Sequence, residues 1–423
     1  MPGVSRDAGL LLIAAAVRAA AVSLAGVLIG IFLANRGFST AAIGLVLGAG
    51  IAASAAGTVV VGLRANVWGP RRTLIAVAVL SGAGYIAVGL VDSLSTLLII
   101  ATTAMVNGMG RDRGPASALE QAVLPTTTPD HRRTWTMAWY NAVIDTGHAL
   151  GALGVVLPTV LVRTFDITNI RGQSITFVLC GTAIMLSAVA YVFLRDAVAS
   201  GTALDTERRR VVPGAETRGR VHRLTVLFAL DSIGGGFLNS ALVAYWFFER
   251  YGMTEVQLAW LFFAARVLNV VSHLAAAWIA RRIGLVNTMV FTHLPSSMLL
   301  MLAPTAPTLS LAAALFLARE ALVEMDVPTR QSYVMAVVPP SAYTYASGMT
   351  NVARNAGWAV GPAIGGSVMQ YAGLATPLFI GGALKIVYDL LLYRSFRHIR
   401  PPEEQLCAEG DYGDGWVIKE MKT

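Results

Sequence analysis

An all-α polytopic membrane protein, with twelve transmembrane helices in two pseudo-symmetric six-helix bundles, is the fold class this 423-residue sequence predicts. Three observations predict it. The composition is 55% hydrophobic and only 13% charged, with a mean hydropathy of +0.63, whereas soluble domains run about 45–50% apolar and about 25% charged. Apolar runs of about 20 residues recur from end to end, each long enough to cross roughly 30 Å of hydrocarbon at about 1.5 Å per residue. Finally, stretches of the first half of the chain reappear in the second.

The crossings are helical, because lipid satisfies no backbone polar group and the runs lack the ten-residue alternation of barrel strands. The spans fall near 8–34, 40–63, 73–91, 94–124, 134–158, 173–194, 223–248, 254–280, 285–303, 308–338, 342–371 and 374–394. The first carries Arg18 in its middle and lacks a small-residue cleavage site followed by a polar mature chain, so it is expected to stay as a helix.

Lys and Arg in the connections set the orientation. One set holds Arg64, Arg71, Arg72, Arg132, Arg133, Arg208, Arg209, Arg210, Arg218, Arg220, Arg281, Arg282, Arg394, Arg397 and Arg400; the other holds only Arg36, Arg163, Arg171 and Arg250. The positive-inside rule then puts both termini in the cytoplasm of a multi-pass protein of the cell (inner) membrane. The net charge of +8 is mostly this topology signal. The basic residues are spread over separate loops and form no aromatic-interleaved patch, so no nucleic-acid partner is expected. Cys180 in a span and Cys407 in the polar tail suggest neither a disulfide framework nor a metal site. With no HExxH, P-loop or GxSxG string, neither catalysis nor a cofactor is expected. Trp68, Trp135, Trp246 and Trp278 lie near span ends, where an interfacial belt is expected.

The repeat is explicit. Residues 36–69 align without gaps on 251–284, pairing Gly37 with Gly252 and Gly69 with Gly284, 215 positions apart. A second match pairs Asn141, Gly147 and Gly151 with Asn351, Gly357 and Gly361 at an offset of 210, and "AVLP" at 122–125 answers "AVVP" at 336–339. The predicted organisation is an N-terminal bundle (1–195), a cytoplasmic linker (196–222), a C-terminal bundle (223–398) and a polar tail (399–423).

Two six-helix halves joined by a basic linker resemble the major facilitator superfamily. That family's loop between helices 2 and 3 reads Gly-x-x-x-Asp-Arg-x-Gly-x-Arg-Arg. Here Gly62, Gly69, Arg71 and Arg72 keep their places, while Asn66 replaces the acid and Val67 the base; the second-half loop keeps Arg282 and Gly284 but has Arg281 at the acid position. The string Gly357, Gly361, Pro362, Gly365, Gly366 resembles the glycine-proline motif of the family's drug/proton antiporters, moved from helix 5 to helix 11. These two strings are the gating candidates, and pairs such as Gly26/Gly30, Gly44/Gly48 and Gly147/Gly151 suit close helix packing. The resemblance implies that spans 1, 4, 7 and 10 line a central cavity while 3, 6, 9 and 12 stand outside as support.

An ionisable group at membrane depth costs at least about 2.5–3.5 kcal/mol on insertion scales, so each is expected to face protein or water. Span 1 has Arg18; span 4 has Arg111, Asp112, Arg113 and Glu120; span 7 has Asp231; span 10 has Arg319, Glu320, Glu324, Asp326 and Arg330; spans 3, 6 and 9 have no Arg, Lys, Asp or Glu. Asp145, Arg266 and Arg354 sit on the flanking spans 5, 8 and 11, with Arg266 at the repeat position of Ile51 and Arg354 at that of Ile144. The stretch "GRDRG" at 110–114 is thus polar because it faces an aqueous cavity, and Gly114-Pro115 and Pro328 loosen spans 4 and 10. Arginine suits anion contact through its fixed charge and bidentate fork, so Arg18, Arg111, Arg113, Arg266, Arg330 and Arg354 are the substrate-binding candidates. Asp145, Asp231, Asp326 and Glu120 are the proton-coupling candidates. Ion pairing that holds the halves in one state competes for each of these residues. Arg18 and Asp231 lie at nearly equal depth on opposite halves and are expected to form, or alternate with, a cross-cavity contact, whereas His148 and His273, each alone on its span, read as hydrogen-bonded packing residues.

The function expected is secondary active transport of a small anionic or zwitterionic solute by alternating access, foremost as proton-coupled export. Uptake or exchange of an organic anion, phosphorylated ones included, is the alternative, followed by a lipid flippase or a non-transporting sensor on the same fold. The partners are the solute, protons and the bilayer, with the protein a monomer.

Overall fold

The computed structural model describes residues 5–127, 133–195, 214–339 and 342–399; Arg132, Arg208, Arg209, Arg210, Arg400 and Cys407, with most of the linker and the tail, lie outside the described residues, as does the side chain of Asn66. Helices and short 3-10 turns, without strands, make up the regular structure among the described residues. Crossings 1 to 3 are α1 (Arg6–Asn35), α2 (Thr40–Trp68) and α3 (Pro70–Leu90); crossing 4 is broken into α4 (Leu94–Ala104) and α5 (Pro115–Val123); crossing 5 runs through α6 (Arg133–Leu153) and α7 (Leu157–Phe165), and crossing 6 is α8 (Asn169–Val192). In the second half, crossing 7 is α9 (Ala215–Gly236) with α10 (Ser240–Tyr251), 8 is α11 (Glu255–Ile283), 9 is α12 (Leu285–Leu302), 10 is α13 (Leu309–Val323) with α14 (Asp326–Ala336), 11 is α15 (Tyr343–Tyr371) and 12 is α16 (Thr376–Phe396). Nine of these crossings are long and apolar enough to span a bilayer unaided among the described residues; crossings 4, 10 and 11, which hold the polar or interrupted segments, are the remainder.

The sequence repeat is also a structural one. Gly37 and Gly252 both take positive φ (83° and 64°), as do Gly69 and Gly284 (84° and 87°), at the same turns of the two halves, a conformation that favours glycine because it lacks a Cβ. Just after the first pair, Ser39 caps α2 and Thr254 caps α11, each side chain accepting from a backbone N–H in the first turn. Gly147 and Gly151 press α6 onto α1 at Ala16 and Ala20, and their repeat partners Gly357 and Gly361 press α15 onto α9 at Ala229 and Gly236.

The hydrophobic core reveals how the halves meet. One cluster joins both, from Val27, Phe32 and Leu47 to Trp246, Phe262 and Phe316, near the face that bears the 35–40, 251–255 and 371–376 connections. Towards the face where α1 begins and α16 ends there are two separate clusters, one around Leu11, Leu74 and Tyr140 and the other around Phe228, Met289 and Tyr388. We call these the sealed face and the terminal face. At the sealed face a Cβ on Gly44 would stand 2.3 Å from the Pro362 carbonyl and 2.8 Å from the Gly366 Cα, whereas Gly62 and Gly348, at the terminal ends of the same two helices, have nothing within 4 Å. Trp68, Trp135 and Trp278 are exposed as expected, but Trp246 is 1% exposed; it belongs to the joint core, packed on Phe247 and Tyr251 at ring distances of 4.7 and 5.5 Å.

Candidate functional site

Crossing 4 is not a loosened helix at the "GRDRG" stretch; it is unwound from Met105 to Gly114. Met105 (φ 57°) and Gly110 (φ 65°) both take the left-handed backbone. At membrane depth each orphaned backbone group would cost several kcal/mol, and distant side chains take them up. The Tyr85 hydroxyl accepts from the Asn107 N–H (3.0 Å), and the Asn107 carboxamide accepts from the Met109 N–H (2.7 Å) and donates to the Arg111 carbonyl (2.6 Å). His148 Nε2 accepts from the Asp112 N–H at 2.9 Å, a positioning role. The break directs Arg111 and Arg113 into the space between the halves and turns Asp112 back into the N-terminal bundle.

There Asp112 meets Arg18, which is 4% exposed. The guanidinium donates to Asp112 at 2.7 Å and to both oxygens of Glu120 at 2.6 and 2.9 Å, while the Tyr191 and Tyr140 hydroxyls donate to Glu120 at 2.5 and 2.8 Å. The expected contact between Arg18 and Asp231 is therefore absent. Asp231, 5% exposed, receives Lys385 Nζ at 2.7 Å and Arg330 at 3.2 Å. Equal depth on two helices did not make them neighbours, because each charge finds partners in its own half.

A cavity of about 140 Å³ lies between the halves, lined from one side by Met109, Arg111 and Arg113 and from the other by crossings 7 to 12. At about 10–15 Å³ per water by this measure, it has room for roughly ten waters or a small solute. Its wall carries seven Arg and Lys side chains, Arg111, Arg113, Arg266, Arg319, Arg330, Arg354 and Lys385, with His293, and four acidic ones, Asp231, Glu320, Glu324 and Asp326. Four of the cations are paired. Arg111 reaches across the halves to Glu324 at 2.6 Å and to Asn269 at 2.7 Å; Arg319 pairs with Glu320; Arg330 donates to Asp326 at 2.6 Å as well as to Asp231; Lys385 holds Asp231. One oxygen of Asp326 is buried without a hydrogen-bond partner.

The other three cations have no carboxylate within ion-pair distance among the described residues. Arg113, exposed to the cavity, and Arg354 lie over the Trp358 ring at 4.9 and 4.6 Å. Arg266, 9% exposed, donates to the Gly110 carbonyl and the Ser240 hydroxyl, both at 3.1 Å. The Nε atoms of Arg266 and Arg354 are buried with no acceptor.

Of the sequence candidates, Arg111, Arg113, Arg266, Arg330, Arg354, Asp231 and Asp326 share this cavity, whereas Arg18 and Glu120 lie in the separate N-terminal cluster. Asp145 lies outside the main cavity: its side chain is 41% exposed, 3.9 Å from His148. His273 pairs with Glu324 at 3.2 Å. Gly357, Gly361 and Pro362 form helix seams, and Arg71 donates to the Leu194 carbonyl at 3.3 Å while Arg72 is exposed. Crossings 9 and 12 are more than outer support. His293 and Lys385 line the cavity, and His293 bonds Asp389 at 2.9 Å. The missed signal was Lys385 and Asp389, two ionisable residues four apart on one apolar helix.

The sequence matches the family model of the Major Facilitator Superfamily over residues 11–323 and 224–416. It is 25% identical over 421 residues to YJR124C, an uncharacterized membrane protein of Saccharomyces cerevisiae, covering 92% of this chain and 93% of that one. The fold is similar to the crystal structure of the nucleoside transporter NupG (TM-score 0.73, 13% identity, 93% of this chain and 99% of that chain). It is also similar to the human organic anion transporter MFSD10 (TM-score 0.62, 16% identity, 93% and 100%). An unwound polar crossing beside a central cavity, a repeated half and a family match along nearly the whole length lead to one conclusion: the chain belongs to the Major Facilitator Superfamily of secondary transporters.

Proposed function

We propose that this protein, as a monomer, carries a small organic anion across the cell membrane by alternating access, exporting it in exchange for protons. The observation that carries the reading is the set of three unpaired arginines, Arg113 from the N-terminal half and Arg266 and Arg354 from the C-terminal half, facing one cavity. A buried cation without a counter-charge is costly, and a solute carboxylate or phosphate supplies the acceptors that the guanidinium forks lack. The cavity's excess of three positive charges equals the number of unpaired arginines. The structural neighbour MFSD10 is an organic anion transporter, the same class of cargo.

Alternation follows from the division of the core. With both termini cytoplasmic, the two separate clusters mark an open cytoplasmic side, and the Gly44, Pro362 and Gly366 seam marks the closed outer one. The cross-half pair of Arg111 with Glu324 lies between them. For coupling, Asp231 and Asp326 around Arg330 are the primary proton carriers: exchange has the carrier return with a carboxylate protonated after the anion has left, the proton being expelled inside when Arg330 pairs with that carboxylate again. Asp145 and Glu120 are secondary.

The test is purified protein in liposomes holding a pH-sensitive dye. A panel of organic anions is expected to change lumenal pH only in the presence of the carried solute. The reading is overturned if neutral hydrophobic drugs move while anions do not; a sensor would move nothing.

A further inference from the structure

We infer that the cargo carries two separate anionic groups on a short skeleton, as a dicarboxylate or a phosphorylated carboxylic acid does; this rests on the reading of the cavity as an anion-transport site. The three unpaired arginines do not form one cluster. They occupy two loci.

At the first, Arg113 and Arg354 approach the same Trp358 ring from opposite halves of the protein. Contact with an aromatic face attracts a guanidinium but leaves its charge and its in-plane N–H groups unneutralised. At the second, Arg266 is fixed by the Gly110 carbonyl at the break of crossing 4 and by Ser240 at the start of α10, and the Ser240 hydroxyl is itself committed to the Met109 carbonyl at 2.8 Å. Each locus holds one buried Nε with no acceptor, on Arg354 and on Arg266. Every acid on the cavity wall already has a basic partner, and the one free carboxylate oxygen, on Asp326, belongs to the pair with Arg330, so neither locus has a counter-charge of its own. The two are tied to the same unwound segment, one at Gly110 and the other at Arg113. Both loci line one cavity with space for roughly ten waters, so a short skeleton has to carry both anionic groups. A monovalent anion fills one locus and leaves the other cationic.

The experiment is a thermal-shift titration of the full-length protein in detergent with succinate, butyrate, phosphoenolpyruvate, inorganic phosphate and an uncharged sugar. Succinate or phosphoenolpyruvate is expected to half-saturate at a concentration about tenfold or more below that of butyrate, since a second charged fork is engaged. Which of the two is tighter distinguishes the dicarboxylate from the phosphorylated acid. In Arg266→Gln, and separately in Arg354→Lys, the advantage over butyrate is expected to shrink to within about threefold while butyrate binding persists. Persistent butyrate binding also shows that the variants are folded. If butyrate or inorganic phosphate matches the two-group anions on the unaltered protein, the two-locus inference falls and the anion reading stands. If the sugar alone stabilises the protein, both fall.

Discussion

In the N-terminal half the buried arginine, Arg18, is closed in by Asp112, Glu120 and Tyr191, whereas in the C-terminal half a buried acid, Asp231, is held by Lys385 and Arg330 on the wall of the cavity. The two groups sit on repeat-related helices at nearly the same depth. Around Arg18 the adjoining void is only about 30 Å³, and the acceptors bond one another's donors. Around Asp231 the network runs on through His293 to Asp389 and opens onto the main cavity. The difference teaches that membrane-buried charge has two uses in one fold. A closed cluster fixes the backbone break that presents Arg111 and Arg113, and an open one lines the cavity.

The largest expected effect comes from breaking the closed cluster. Arg18→Met leaves Asp112 and Glu120 buried without a cation and is expected to lower stability by about 3–5 kcal/mol, read as thermal unfolding in detergent; adding Asp112→Asn and Glu120→Gln is expected to restore most of it. Lys385→Met leaves Asp231 with Arg330, so a smaller loss of about 1.5–3 kcal/mol is expected. Equal losses would erase the contrast between the halves. Next, Gly44→Leu places side-chain atoms where Pro362 and Gly366 already stand. It is expected to cost about 1–3 kcal/mol and to speed thiol labelling of an Ala41→Cys reporter on the sealed face; an unchanged labelling rate would mean that this seam is not the gate. The smallest effect on stability belongs to Arg354→Lys, within about 0.5 kcal/mol for a site whose charge is kept, while anion affinity drops about tenfold. A titration of anion-dependent melting checks both numbers at once.

Much of this was legible from residue types alone. Spacing of apolar runs located the crossings, the repeated glycines located the turns, and charges on crossings 1, 4, 7 and 10 pointed at a central space. The unwinding from Met105 to Gly114 was not legible, because the groups that satisfy its backbone, Tyr85 and His148, come from other helices. Pairing was not legible either: a sequence gives depth along a helix but not which way a side chain faces, so equal depth points Arg18 to Asp231 while the fold brings Asp112 back beside it. Trp246 sat at the right depth for an interfacial belt and turned inward to the joint core for the same reason. Lys385 and Asp389 stand in the sequence as an i, i+4 pair on an apolar helix, a visible mark of a crossing that does more than support the others.

The central claim is that two halves close around an anion held by arginines from both. Spin labels at Leu63 and Tyr345 report the terminal ends of α2 and α15, and labels at Leu45 and Tyr371 report the opposite ends. With Cys180 and Cys407 replaced, the distances are measured by pulsed electron resonance with and without a bound anion. The anion is expected to shorten the first distance, to lengthen the second, and to do neither in Arg354→Lys at the same concentration. Distances that ignore the anion in the unaltered arginine background would contradict that claim.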